Sequence, residues 1–240
     1  MKFSVDFVWE SSMKNPLKLF NKTERFLLIS SVIVITVSYL LSGSEGWLSW
    51  LVSIIGAISV IFVAKGYVFG QFLLIFFSFL YGVISLKYHY YGEMLTYWCM
   101  AMPVAIVAVV SWIKHPYKDS KEVEVGDLNL KKISLLSLLT VVVTIAFYFI
   151  LKALGTASLI VSTISVITSF AAAALSALRS PYYALAYTAN DIVLIVLWIL
   201  ASVKDINSLP MVFCFVMFMA DDIYGFCNWS RMRKQQRKQV

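Results

Sequence analysis

Asn190 and Asp191 stand side by side about nine residues into a long apolar run that opens near Tyr182. At 1.5 Å per residue, that depth is close to the middle of a bilayer. A carboxylate there costs several kcal/mol unless it has a partner or faces a wet cavity. Tyr183, Tyr187 and Asn190 share one helical face, and Tyr187, Asp191 and Trp198 share an adjacent one. The combined surface is aromatic and polar, which suits a cavity wall better than a lipid-facing stripe; an interhelical hydrogen-bonded pair is the competing use. Asp221 and Asp222 lie in the last apolar run, with Tyr224, Asn228 and Trp229 following. Adjacent carboxylates point about 100° apart on a helix. One of the two is therefore expected to face the pathway and the other to bond Arg179 or a loop. Earlier in the chain, Tyr81, Tyr97 and Trp98 offer aromatic faces, and Pro103 interrupts the hydrogen bonding of its helix, marking a hinge candidate.

Such a set can hold a small, flat organic solute by stacking and hydrogen bonding, with further gain if the ring is cationic. It offers little for bond-breaking chemistry. There is no Gly-Lys-Ser/Thr phosphate loop and no His-Glu-x-x-His pair, and the two histidines, His89 and His115, fall in loops. Cys99, Cys214 and Cys227 sit inside apolar runs at no metal-ligand spacing. The chain is expected to be no enzyme and to need no cofactor or metal. No Arg-rich helix or carbonyl-filter motif points to a gated channel. A small ion channel and a membrane-embedded enzyme are the readings from other classes.

The elements that position these residues follow from composition. The chain is 60% hydrophobic with a mean hydropathy of +0.82, far outside the soluble globular range. Eight apolar runs cover residues 26–41, 47–64, 68–87, 94–113, 133–153, 157–178, 182–203 and 209–230. A bilayer core needs roughly 20 apolar residues per helix, so the reading is an all-α polytopic membrane protein with eight transmembrane helices. Eight crossings leave both termini on one side. That side then holds 17 of the 20 Lys and Arg residues, and only Lys87, Lys152 and Lys204 lie on the other. The positive-inside rule makes the rich side cytoplasmic.

Residues 1–25, with Phe3, Phe7, Val8 and Trp9 among charges, form an N-terminal segment expected to lie along the membrane surface. The tail 231–240 is basic; in this setting it is expected to meet anionic headgroups, and no nucleic-acid partner is expected. Trp47, Trp112, Trp229, Tyr88 and Tyr90 fall at span ends and fit an interfacial aromatic belt.

The longest and most charged connection, 114–132, divides the chain. The three spans in 47–113 and the three in 157–230 run in the same direction, and each set turns at a basic residue, Lys65 or Arg179, before ending at a Trp. An odd number of crossings per unit requires one inverting helix between them, here 133–153. The expected arrangement is one extra N-terminal helix at 26–41, then three, one and three. Parallel repeats of this kind are a known transporter architecture, shared by the SWEET carriers, with the substrate near the midplane between the repeats.

Several of these residues, in this order and spacing, resemble the PnuC family of bacterial nicotinamide riboside transporters. They are Leu80-Tyr81-Gly82, Tyr91-Gly92-Glu93, Pro103 and Trp112 in the first half. In the second they are Arg179, Asp191, Trp198 and the terminal Tyr224-Gly225-Phe226-Cys227-Asn228-Trp229. The resemblance spans roughly residues 45–230. It implies facilitated diffusion of nicotinamide riboside by alternating access across a bacterial inner membrane. A cytoplasmic riboside kinase would trap the product and so feed NAD synthesis. It further implies a pyridinium stacked on aromatics and ribose hydroxyls bonded to Asn190, Asp191 or Asn228. The remaining partners are the lipid bilayer and, in a homo-oligomer, further copies of the chain. Thiamine, riboflavin or a sugar on the same scaffold is the alternative cargo.

Overall fold

The computed structural model describes residues 19–42, 47–87, 91–118, 120–156 and 158–238. Among them are eight helices long and apolar enough to cross a membrane, as the eight apolar runs require. These are α1 (Lys22–Ser42), α2 (Trp47–Ala64), α3 (Val68–Lys87), α4 (Tyr91–Lys114), α5 (Leu130–Ala153), α6 (Leu159–Ala177), α7 (Tyr182–Ser202) and α8 (Leu209–Lys238). Residues 1–18 of the N-terminal segment read as interfacial, and Tyr88, His89 and Tyr90, lie outside the described residues.

Local polar chemistry moves several boundaries. α1 begins at Lys22 rather than 26 because Asn21 and Glu24 close a reciprocal cap. The Glu24 N–H donates to Asn21 Oδ1 at 2.9 Å and the Asn21 N–H to Glu24 Oε2 at 2.8 Å. α5 begins at Leu130, where Asn129 Oδ1 accepts from the Lys132 N–H at 2.9 Å. α8 does not stop near 230. It runs to Lys238, so the basic tail is a helical extension rather than a separate segment.

The packing is a ring. α2 packs on α3, α3 on α4, α4 on α6, α6 on α7, α7 on α8, and α8 returns to α2. Two helices stand outside it: α1 against α2 and α8, and α5 against α6. Lipid rewards apolar burial far less than water does, so close approach and polar contacts must hold such a ring. Gly70 illustrates the first, since a Cβ there would stand 2.5 Å from the Val63 backbone nitrogen. α5 buries only Phe147 and Leu151 and leaves most of its length facing outward.

One end of the ring, called here the basic side, carries the two turns that follow α2 and α6 and the connection from α4 to α5. The turns are built alike. After α2, the Gly66 N–H donates to Val63 O and the Tyr67 N–H to Phe62 O; after α6, the Arg179 N–H donates to Ser176 O and the Ser180 N–H to Leu175 O. Both are helix ends closed by a left-handed residue. Gly66 takes φ +72° freely, whereas Arg179 takes φ +59° as a non-glycine, at a cost of roughly 1–2 kcal/mol.

The α4–α5 connection offsets that strain by lying across both turns. The Val123 N–H donates to Gly66 O and the Gly126 N–H to Arg179 O, each at 2.9 Å. A Cβ on Gly126 would sit 2.3 Å from Leu178 O, so only glycine permits this approach. The α8 extension then clamps the connection. Gln236 Oε1 accepts from the Val125 N–H at 2.8 Å, and its Nε2 donates to Val123 O at 3.2 Å. Arg237 and Arg233 both donate to Asp127 Oδ1, at 2.6 and 3.0 Å. Those hydrogen bonds hold the Asp127 carboxyl below the usual carboxylate range. These two arginines of the tail are thus engaged within the protein itself.

Candidate functional site

A cleft lies inside the ring, with walls from α2, α3, α4, α6, α7 and α8. Its empty volume, open mouth included, is about 790 Å³. Aromatic walls come from Phe77, Tyr97, Tyr183, Tyr187, Phe215 and Phe218. The polar groups are Ser59, Ser78, Thr96, Ser165, Ser169, Asn190, Asp191 and Asp222, and among the described residues no Lys, Arg or His lines the space. Tyr97 owes its place to a wide turn. Residues Tyr97–Ala101 form a π-helical segment just before Pro103. Proline supplies no N–H to the preceding turn, so the chain accommodates an extra residue there.

Several buried polar atoms at this cleft have no hydrogen-bond partner in the protein. They are Ser59 Oγ, Ser78 Oγ, Tyr183 Oη and Asp191 Oδ2. Native proteins rarely leave such atoms unpaired, so these four can hydrogen-bond to whatever occupies the cleft. Others are held in place. Asn190 Oδ1 accepts from Thr168 Oγ1 at 2.9 Å, which fixes the amide against α6. Asp191 of α7 and Asp222 of α8 both line the cleft. Asp221 points the other way, where its carboxylate accepts from Ser31 of α1 at 3.4 Å. One member of the Asp221–Asp222 pair thus faces the cleft, as expected; the other bonds α1 rather than Arg179. Arg179 reaches Glu124 instead, at 3.6 Å.

Two clusters close the cleft. On the basic side, Trp112 and Trp229 meet with ring centroids 5.3 Å apart. Each indole N–H crosses to the helix end of the other half: Trp112 donates to Ser176 O at 2.8 Å and Trp229 to Val63 O at 2.9 Å. Tyr183 packs edge-on to Trp229 at 5.1 Å, and Val63, Val123 and Met232 complete this seam. On the opposite side lie Phe77, Tyr81, Leu194, Trp198, Met211, Phe215 and Phe218. Trp198 donates to Tyr81 Oη at 3.0 Å there. The belt reading of Trp112 and Trp229 is therefore corrected, since both are wholly buried at the seam. Trp47, by contrast, is exposed.

Six of the residues singled out in the sequence converge on the cleft: Tyr97, Tyr183, Tyr187, Asn190, Asp191 and Asp222. Five do not line it. Tyr81 and Trp198 form the layer beyond it. Trp98 turns from the cleft to stack on Phe79 and donates to Phe79 O at 3.0 Å. Tyr224 donates to Glu24 Oε1 at 2.9 Å, and Asn228 donates to Ala64 O at 2.9 Å. Both are tied to neighbouring helices on the basic side. Pro103 follows the π-helical segment and lies outside the lining. Sequence reasoning missed the four serines and Thr96. Their signal was present as small hydroxyl residues on otherwise apolar spans, where each hydroxyl needs a partner.

Comparison with known proteins gives this arrangement its relatives. The family model described as nicotinamide mononucleotide transporter matches residues 46–231. A nicotinamide riboside transporter PnuC of Neisseria mucosa is 30% identical over 204 residues, covering 81% of this chain and 76% of that one. The chain belongs to the PnuC family. A second family relative, the nicotinamide riboside transporter PnuC of Haemophilus influenzae, is 24% identical over 194 residues, covering 80% of this chain and 82% of its own. Among solved structures, the crystal structure of the vitamin B3 transporter PnuC superposes with a TM-score of 0.78 at 26% identity. That match covers 90% of this chain and 94% of the PnuC chain. The eight apolar helices and the PnuC relationship make this a multi-pass membrane protein.

Proposed function

We propose that the protein carries nicotinamide riboside across the bacterial inner membrane by facilitated diffusion. The observation that carries this reading is the cleft itself, which pairs aromatic walls with amide, hydroxyl and carboxyl groups and lacks any basic side chain. The aromatic walls suit a stacked pyridinium ring. Asn190 and the serines with unpaired oxygens suit ribose hydroxyls. The family model is named for the mononucleotide and the curated relatives for the riboside; the two differ by one phosphate. Phosphate recognition uses Arg, Lys or a helix N-terminus. A cleft with two carboxyl groups and no cation favours the unphosphorylated form.

The carrier works by alternating access between 47–113 and 157–230, joined by the inverting helix 133–153. Matched turns at Gly66 and Arg179, and indole contacts exchanged by Trp112 and Trp229, support two equivalent halves. The basic side is cytoplasmic, with both termini there, on the strength of its excess of Lys and Arg. No ATP-binding motif is present, so net uptake depends on phosphorylation of the product by a cytoplasmic riboside kinase, which supplies NAD synthesis. The decisive experiment measures uptake of the riboside and of its 5′-phosphate into proteoliposomes. Uptake of the riboside alone is expected. Equal uptake of both, or uptake of thiamine or riboflavin in preference to either, would sink the proposal.

A further inference from the structure

Two carboxyl groups, Asp191 and Asp222, line the cleft, and among the described residues no basic side chain does. The basic residues of the two turns are engaged elsewhere: Lys65 with Glu24 at 2.9 Å, and Arg179 with Glu124 at 3.6 Å. Every wall contributes neutral groups: Ser59 from α2, Phe77 and Ser78 from α3, Tyr97 from α4, Ser165 and Ser169 from α6. Asp221, the remaining carboxyl of α8 at this depth, is turned toward Ser31. A negative charge on either carboxyl would have no counter-ion among the side chains that line the cleft. Asp191 is only 3% exposed, and its Oδ2 has no partner among the described residues.

A buried, unpartnered carboxylate oxygen beside aromatic faces has a defined complement, which is one diffuse positive charge on a flat ring. We infer that Asp191 and Asp222 are the counter-ion that reads ring charge, admitting a pyridinium and discriminating against the same riboside with a neutral dihydropyridine ring. This deepens the proposed function and rests on it. Shape and hydroxyl pattern are nearly the same in the two forms, so recognition by stacking and ribose contacts alone would treat them similarly. A cationic ring compensates a carboxylate in the cleft, whereas a neutral ring leaves that buried charge uncompensated.

The test measures binding of the oxidised riboside and of its dihydro form to the purified full chain by titration calorimetry. The wild type is expected to prefer the cation by about tenfold or more. The double variant Asp191→Asn with Asp222→Asn is expected to lose that preference while binding the dihydro form within about threefold of wild type. Asp221→Asn removes a buried carboxyl outside the cleft and is expected to keep the preference. If the double variant does not fold, Asp191→Asn alone carries the test, with the preference reduced at least about threefold. Equal affinity of the wild type for both forms, or a preference that survives in the Asp191 and Asp222 variants, would overturn the inference. Failure of the wild type to bind either form would instead remove the riboside reading on which it rests.

Discussion

The seam on the basic side and the cleft beside it are built from the same helices but treat polar atoms in opposite ways. At the seam, both indole N–H groups and the N–H groups of Val123, Val125 and Gly126 find acceptors on another element. In the cleft, oxygens of Ser59, Ser78, Tyr183 and Asp191 have none. A satisfied buried network holds elements in one arrangement, and an unsatisfied one invites a guest. Tyr183 belongs to both, with its ring packed on Trp229 and its hydroxyl left free for the cleft. The contrast teaches that stability and recognition have been separated by depth, within about two helical turns along α7.

The largest test of that separation is Trp229→Ala. Removing a buried indole should cost about 3–5 kcal/mol, read as a fall in melting temperature in detergent. A fall no greater than that of Trp47→Ala, at an exposed position, would break the comparison. Gly126→Ala comes next, because the added methyl meets Leu178 O and must push the connection off the Arg179 turn. The expected loss is about 1–3 kcal/mol, with riboside affinity in the cleft kept. An unchanged melting temperature would show that the connection contributes nothing to the seam.

The cleft should respond the other way round. Ser78→Ala removes a hydroxyl that has no partner, so stability should change by less than about 0.5 kcal/mol or improve. Affinity for the riboside should fall roughly three- to tenfold, measured by the same calorimetry. A variant that lost stability and kept affinity would assign Ser78 to the framework instead. The smallest effect belongs to Asp127, largely exposed between Arg237 and Arg233. Its folded-state pKa lies below the unfolded value, so its contribution is present at neutral pH and is lost as pH falls through the folded value. After solvent screening, Asp127→Asn should cost at most about 0.5 kcal/mol at neutral pH, and less in high salt. A larger, salt-independent loss would mean that Asp127 does more than pair with the tail.

Depth along the membrane was legible in the sequence, and rotation about each helix was not. Eight spans follow from run length, and Asn190 and Asp191 stand out because charge at mid-depth is costly. Which way a side chain points is harder, since spans apolar on all sides present no polar stripe to set the phase. Trp112 and Trp229 illustrate this. Their position at span ends fits a belt, yet both rotate inward and bond across the ring. Trp98 and Tyr97 are neighbours with opposite fates, both within a π-helical turn that spacing rules for α-helices do not anticipate. Tyr224 and Asn228 were selected for their chemistry and serve α1 and α2 instead. Each serine alone gives no signal in the sequence; only the ring brings them around one cleft.

The two indoles at the seam have an optical consequence. Rings held 5.3 Å apart and tilted by 52° are close enough for their electronic transitions to couple, which gives a paired signal in near-ultraviolet circular dichroism. Any motion that opened the basic side would have to part those rings and extinguish the signal. The protein thus carries, without a label, its own spectroscopic reporter of whether the basic side is closed.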